Sequence, residues 1–301
     1  MDLRDKVVFV TGANGFVGTY VVRRLLDEGM RIRALVRSPE AAAALERMGV
    51  SAQVGELSDT SAHKAGVHGA YAVVHIAATS TEDMAEARRV NQESTASLVE
   101  AALAAGCGRF VHISTIGVYP LKERSGVIDE ASPMVTSGDA YSVTKAEADR
   151  IVSAAASRGL FTVILRPAVI FGVHPTSFWG TAVPKLIAEG KFPLVDEGRT
   201  TFGYLHISSL VDAVVTSLRT EDERLKGEVF HIVDGHAEWR RYTQPFLAKS
   251  PLPSLSADDL PGLFSFRGSF SNEKAQRLLG FVPRDIFDSS IEEMVRALPG
   301  E

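Results

Sequence analysis

Cysteine is almost missing from this chain: Cys107 stands alone among 301 residues, so no internal disulfide can form. A reducing compartment is the expectation. Cys107 lies between two glycines after an alanine-rich stretch and reads as a small buried residue rather than a nucleophile. Apolar runs long enough to span a bilayer are also lacking, and the start of the chain shows no signal-peptide pattern. A cytoplasmic protein with no membrane contact is therefore expected. Basic runs are absent and the formal charge is −5, which argues against gripping the phosphate backbone of a nucleic acid. The eight histidines show no metal-ligand spacing and the lone thiol cannot build a thiolate site, so no metal is expected. No Gly-x-Ser-x-Gly elbow marks a hydrolase.

What is present is an ordinary globular composition, 45% hydrophobic and 23% charged. The length allows one large domain, or a domain with an appended lobe. Near the start, an apolar β-branched run, Val7–Val10, meets the stretch Thr11-Gly12-Ala13-Asn14-Gly15-Phe16-Val17-Gly18. Helical apolar spacing follows over Tyr20–Leu26. Strand, glycine-rich turn and helix form the context of a dinucleotide seat. In that reading Gly12 makes the tight turn, Gly15 lets the backbone approach a pyrophosphate, and Gly18 lets the helix pack close to the sheet. The phosphates would face the open N–H groups of the helix.

The rhythm continues. Further strands are expected at Arg31–Val36, Ala52–Val54, Ala72–Ala78, Arg109–Ser114 and Phe161–Leu165. Helices are expected at Glu40–Met48, about Glu82 to Ala105, and about Asp139 to Ser157. Such alternation implies a doubly wound parallel α/β sheet, a Rossmann fold. Beyond Gly172 prolines and glycines break the rhythm, and a mixed segment, Ser250–Gly268, is rich in proline and serine. The expected organisation is a dinucleotide-binding domain over residues 1–172 and a mainly substrate-binding lobe over 173–301. Within the lobe, segments at about 204–233 would return as late strands to complete the core. Amphipathic helices are expected at Ser271–Leu279 and Ile286–Leu298.

Two stretches carry chemistry. In Tyr141-Ser142-Val143-Thr144-Lys145 the tyrosine and lysine share one helix face. An ammonium near a phenol favours the phenolate, which suits a general acid or base; the plain alternative is an exposed pair on a helix. In Ser114-Thr115-Ile116-Gly117-Val118-Tyr119 a hydroxyl would sit at the carboxyl end of a strand, where it could orient a carbonyl or alcohol oxygen. Its plain alternative is a hydroxyl satisfying loop backbone.

These stretches, with His75–Ala78, Asn91, Leu165-Arg166-Pro167 and Gly172, His206–Ala213 and Gly227–Val233, carry a resemblance over nearly the whole chain. The chain resembles the extended short-chain dehydrogenase/reductases, the superfamily of NAD(P)-dependent epimerases and dehydratases. The resemblance implies Tyr141 as catalytic acid/base, Thr115 as the catalytic hydroxyl, and Lys145 as the group that holds the nicotinamide ribose and lowers the tyrosine pKa. It also implies cofactor contacts from Gly12, Asn14, Gly15, Phe16, Val17, Gly18, Ala77, Ala78 and Asn91, with Pro167, Ala168 and Val169 bordering the nicotinamide. Many relatives pair through the helix ending near Ala105 and the helix carrying Tyr141, so a homodimer is implied.

After the second strand the chain reads Leu35-Val36-Arg37-Ser38, with no acid to bind the ribose hydroxyls of NAD. Arg37 suits the 2′-phosphate, so NADP(H) is expected to be preferred, with NAD(H) possible. Glu56 stands where relatives usually have aspartate near the adenine, making Glu56 and Leu57 further cofactor contacts. Nucleotide-sugar relatives commonly place an arginine two residues before a phenylalanine, whereas here that position is Thr200 and Arg199 is one residue off. Gly190–Leu194 and Glu197–Arg199 instead resemble the hydroxysteroid-dehydrogenase-like and ketone-reductase branches. Phe178, Trp179, Phe192, Phe264 and Phe266 are candidate lining for an apolar pocket, and His206 and His231 candidate substrate contacts; His75 and His112 read as satisfied core histidines. The expected function is hydride transfer between the nicotinamide and a carbonyl or alcohol of a small, fairly apolar substrate. A nucleotide-sugar epimerase or dehydratase is the alternative. A non-catalytic dinucleotide-binding redox sensor or scaffold is a third class, against which the joint presence of Thr115, Tyr141 and Lys145 argues.

Overall fold

Strand β1 (Val7–Thr11) holds a central place in a seven-stranded sheet, because its apolar residues are covered on both faces. A computed structural model describes residues 1–247 and 252–298. After β1 come α1 (Phe16–Asp27), β2 (Arg31–Val36), α2 (Pro39–Glu46), β3 (Ser51–Val54), α3 (Thr60–Val67) and β4 (Ala72–His75). Then follow α4 (Met84–Ala87), a π-helical turn (Arg88–Glu93), α5 (Ser94–Ala104) and β5 (Arg109–Ile113). A two-residue strand β6 (Val127–Ile128) precedes α6 (Ala140–Ser157), β7 (Phe161–Pro167) and β8 (Val169–Phe171). The remainder carries α7 (Val183–Ala188), β9 (Thr201–His206), α8 (Ile207–Arg219), β10 (Glu228–Ile232), β11 (Gly235–Glu238), α9 (Trp239–Thr243), β12 (Ser269–Phe270) and α10 (Phe287–Ala297).

The large sheet runs β10-β7-β5-β4-β1-β2-β3, with the neighbours of β1, β2, β4 and β5 all parallel. This is the doubly wound sheet expected. Phe9, Val73, Phe110 and Ile164 from its strands meet Ala62, Val67, Leu98 and Val152 from the helices in one buried cluster. Cys107 belongs to that cluster, and burial raises its thiol to about 11, so it stays protonated.

Four departures are informative. Helix α3 was not expected; its apolar spacing is interrupted by His63 and Lys64, but Asp59 caps it at Ser61 N and Ala62 N. The expected long helix from Glu82 is broken into α4, the π turn and α5. The helix expected over Ser271–Leu279 starts two residues later, at Glu273, and runs into a π turn, Ala275–Leu279, closed by Gly280 at φ 69°. Of the late strands, β10 does join the large sheet, whereas β9 pairs with β8 and β11 in a separate three-stranded sheet.

The chain divides into two compact units: residues 1–118, 134–166 and 211–230, and residues 119–133, 167–210 and 231–301. The start of the Ser250–Gly268 segment, and the last residues of the lobe, lie outside the described residues. The second unit is cored by aromatic rings. Phe171, Phe202, Tyr204, Trp239, Tyr242 and Phe287 are all buried together, and Trp179 lies 5.3 Å from Trp239, ring centre to ring centre. Among the described residues no helix is long and apolar enough to cross a membrane.

Candidate active site

The glycine-rich turn has the geometry of a phosphate cradle. Gly12 sits at φ 71°, and a Cβ there would lie 2.8 Å from Ala77 N. A Cβ on Gly18 would lie 2.0 Å from Gly12 O, so only glycine lets α1 press against the turn. At Gly15 the nearest atom to such a Cβ is 3.5 Å away, an ordinary contact, and Gly15 is the N-cap of α1 without any side-chain cap. The first turn of α1 also lacks an acid, so no side-chain carboxylate there competes with an anion at the positive end of the helix. Asn14 is exposed and Phe16 and Val17 are half-buried at this helix start. A dinucleotide pyrophosphate fits these features.

Behind the turn runs a buried hydrogen-bond chain. Thr11 Oγ1 accepts from Ile76 N at 3.2 Å and Ala77 N at 3.3 Å, and lies 2.7 Å from His75 Nδ1. His75 Nε2 lies 2.9 Å from Thr95 Oγ1, which itself donates to Asn91 O at 2.6 Å. Since that hydroxyl hydrogen is used, His75 must carry its own on Nε2, and Thr11 donates to Nδ1. Asn91, buried in the π turn, accepts from Thr79 N at 2.8 Å and donates to Thr79 O at 2.9 Å and to Thr144 Oγ1 at 3.0 Å. The chain thus ties the strand ends beside Ala77 and Ala78 to helix α6, one residue from Lys145.

Helix α6 starts at an Asp139 cap and carries Tyr141, Lys145 and Asp149 on one face. Thr115 follows β5; its hydroxyl accepts from Gly117 N at 3.0 Å and is near enough to the Tyr141 phenol to favour the phenolate. Burial raises the phenol above its ordinary value, the nearby Thr115 hydroxyl opposes this, and the Asp149 and Asp139 charges raise it further. The lowering expected from Lys145 is not found, because the ammonium is directed elsewhere. Lys145 Nζ donates to Ile113 O at 2.8 Å and lies 3.3 Å from His112 Nε2. Burial lowers Lys145 to about 8, opposed by the Asp149 charge.

Residues 8–232 match the NAD dependent epimerase/dehydratase family. The chain belongs to that family. As an enzyme of the extended short-chain dehydrogenase/reductase type, it is 32% identical over 233 residues to a 4-hydroxy-2-methyl-3-oxo-4-farnesyl-3,4-dihydroquinoline-1-oxide ketoreductase of Stigmatella aurantiaca, covering 75% of this chain and 68% of that one. It is 30% identical over 235 residues to sterol demethylase protein B of Methylococcus capsulatus, covering 75% and 69%. A dTDP-glucose 4,6-dehydratase of Streptomyces venezuelae, solved with NAD bound, superposes with a TM-score of 0.81 at 25% identity over 96% of each chain.

In this epimerase/dehydratase chain, Arg37 is exposed just past β2, followed by Ser38, which caps α2. Glu56 is exposed past β3, and Leu57 is half-buried against the core cluster. Pro167 ends β7, and Ala168 and Val169 are buried where the second unit resumes. Of the five expected pocket aromatics, Phe192 and Phe266 are buried, Trp179 and Phe264 are partly buried against the aromatic core, and Phe178 is 58% exposed. His231 is wholly buried, 2.7 Å from the Tyr119 hydroxyl and 3.0 Å from Ser271 O, and so belongs to the packing of its unit. His206 is half-buried, 2.7 Å from Ser208 Oγ and 3.6 Å from Glu293. His75 is satisfied as expected, but His112 Nδ1 is buried with no hydrogen-bond partner. Sequence reasoning missed Asp149, which nothing distinguishes from its charged neighbours Glu147 and Arg150, and gave Arg166 no role beyond its place in Leu165-Arg166-Pro167.

Proposed function

We propose that the protein is an NADP(H)-preferring oxidoreductase that interconverts a carbonyl and an alcohol on a small, fairly apolar substrate. The nearness of the Thr115 hydroxyl to the Tyr141 phenol carries this reading. It sets a hydroxyl donor beside a phenol, the two groups that a carbonyl oxygen needs around it. Burial keeps the phenol protonated at neutral pH, which suits giving a proton and hence reduction. The nicotinamide, when bound, supplies the hydride in reduction and accepts it in oxidation. Tyr141 gives its proton to the oxygen as it gains negative charge, and Thr115 orients that oxygen; the reverse direction returns the proton to Tyr141. Gly12, Gly15 and Gly18 with the start of α1 would hold the pyrophosphate, Arg37 the 2′-phosphate, Lys145 the nicotinamide ribose, and Glu56 and Leu57 the adenine.

The substrate class is supported by what surrounds Arg199. Its guanidinium is held by Asp196 and Glu197 at 2.5 Å each, while Thr200, at the usual diphosphate position, is buried and donates to Phe264 O at 2.6 Å. Neither is free for a sugar nucleotide. Kinship with a bacterial ketoreductase points the same way. The second reading, a nucleotide-sugar epimerase or dehydratase, is favoured by the likeness to the dTDP-glucose dehydratase over nearly the whole chain. Cofactor absorbance followed on apolar ketones and alcohols, beside product analysis of nucleotide sugars, whose epimerisation or dehydration leaves the cofactor unchanged over a turnover, separates the two, and turnover of sugar nucleotides alone would reject the first. With a substrate found, Tyr141→Phe should lower kcat by roughly 10²–10⁴ with cofactor affinity nearly unchanged. A variant retaining most of its kcat would remove Tyr141 from the acid/base role.

A further inference from the structure

Behind Lys145 lies a buried charge arrangement that the reading above does not use. Asp149, one turn further along α6, is 1% exposed. Arg166 on β7 donates to its Oδ2 from Nε at 2.8 Å. Its other oxygen, Oδ1, has no hydrogen-bond partner and lies 3.5 Å from His112 Nε2. Lys145 Nζ approaches that same nitrogen at 3.3 Å. With Lys145 donating as an ammonium, His112 Nε2 must be the acceptor, and the ring hydrogen sits on Nδ1, which is also unpartnered. Asp149 Oδ1 therefore faces a lone pair and cannot bond to it. A buried carboxylate oxygen left this way is costly unless its charge is balanced nearby. The cations facing it are Arg166 and Lys145.

We propose that Asp149, clamped by Arg166 and meeting Lys145 at the same His112 nitrogen, is a positioning residue that keeps the buried Lys145 ammonium charged and aimed. His112 supplies the fixed acceptor. Its ring stays neutral because burial, then the charges of Lys145 and Arg166 and the neighbouring His75, all disfavour imidazolium. His75 on β4 stacks on it at 5.2 Å, ring centre to ring centre, and is itself kept neutral by burial and then by the charges of Lys145 and His63. The remaining titratable neighbour on this face is Tyr141, which Asp149 also influences. Removing the Asp149 charge would leave the desolvation of Lys145 unopposed, and an asparagine amide would compete with Lys145 for His112 Nε2.

The inference rests on the reading of Tyr141 and Lys145 as the working pair, but its test needs neither substrate nor cofactor. The full chain is labelled with ¹³C-lysine, and the Lys145 Cε signal, identified by its loss in Lys145→Met, is titrated against pH. Asp149→Asn should lower the Lys145 midpoint from about 8 by about one pH unit, whereas Asp149→Glu, which retains the charge, should leave it within a few tenths. An unchanged midpoint in a folded Asp149→Asn protein overturns the proposal and makes the Asp149–Arg166 pair purely structural. Should Asp149→Asn not fold, His112→Phe carries the test: loss of the acceptor must lower the same midpoint, and no change overturns the proposal. An inactive or active Tyr141→Phe enzyme decides the functional reading separately.

Discussion

At the scale of single residues, Arg37 is the sharpest case. It leaves the end of β2 exposed, no ion pair among the described residues engages it, and no acid stands beside it for the ribose hydroxyls of NAD. A guanidinium gripping a phosphate gains charge-assisted bonds worth roughly 1.5–3 kcal/mol. Arg37→Ala should therefore weaken NADPH binding by roughly ten- to a hundredfold while changing NADH binding little, as read by parallel calorimetric titrations. Equal losses for both cofactors would make Arg37 an adenine-stacking group instead. Arg37, Thr115, Tyr141 and Lys145 were all legible in the sequence because each lies in a short motif or at a fixed place after a strand. Asp149, Arg166 and His112 were not. Their meeting depends on β5, β7 and α6 lying side by side, and nothing in their local sequences announces it.

At the scale of elements, the β1–turn–α1 unit is the most tightly specified. Gly18 is buried, and its missing side chain is what permits the 2.0 Å virtual contact with Gly12 O. Gly18→Ala should force the helix away from the turn and cost roughly 1–3 kcal/mol, as overpacking usually does. Cofactor affinity should fall with it, because the N–H groups of α1 move. Urea unfolding and cofactor titration of one preparation check both effects, and wild-type stability in the variant would contradict the packing account. β2 was read from the sequence with its observed bounds, since apolar Ile32 and Ala34–Val36 lie between the breakers Gly29 and Pro39 and leave little choice. The π turn around Asn91 was invisible because one extra residue per turn shifts the periodicity without ending it. β8, β9 and β11 were misassigned or missed for a different reason: their pairing is set by contacts among residues far apart, not by alternation within each strand.

At the scale of the whole molecule, buried neutral histidines shape the response to pH. His75 and His112 are pushed well below the ordinary imidazole value, burial being the largest cause. In the unfolded chain both bind protons below pH ~6.5. The folded chain declines those protons, so the stability they protect is full above that pH and is lost as pH falls below it. The slope should approach roughly 1.4 kcal/mol per pH unit for each histidine. Urea midpoints measured from about pH 7.5 down to about pH 5.5 should decline accordingly, and a flat series would show that the folded histidines protonate freely.

The aromatic cluster of the second unit has an optical consequence. The chain holds two tryptophans, Trp179 and Trp239, and both belong to that cluster, with Trp239 wholly buried. The first unit contains none. Intrinsic tryptophan emission is thus a label for one unit alone, installed without any chemistry, while far-ultraviolet dichroism draws on the helices of both. Recorded on the same sample, the two signals distinguish the loosening of one part from the melting of the whole.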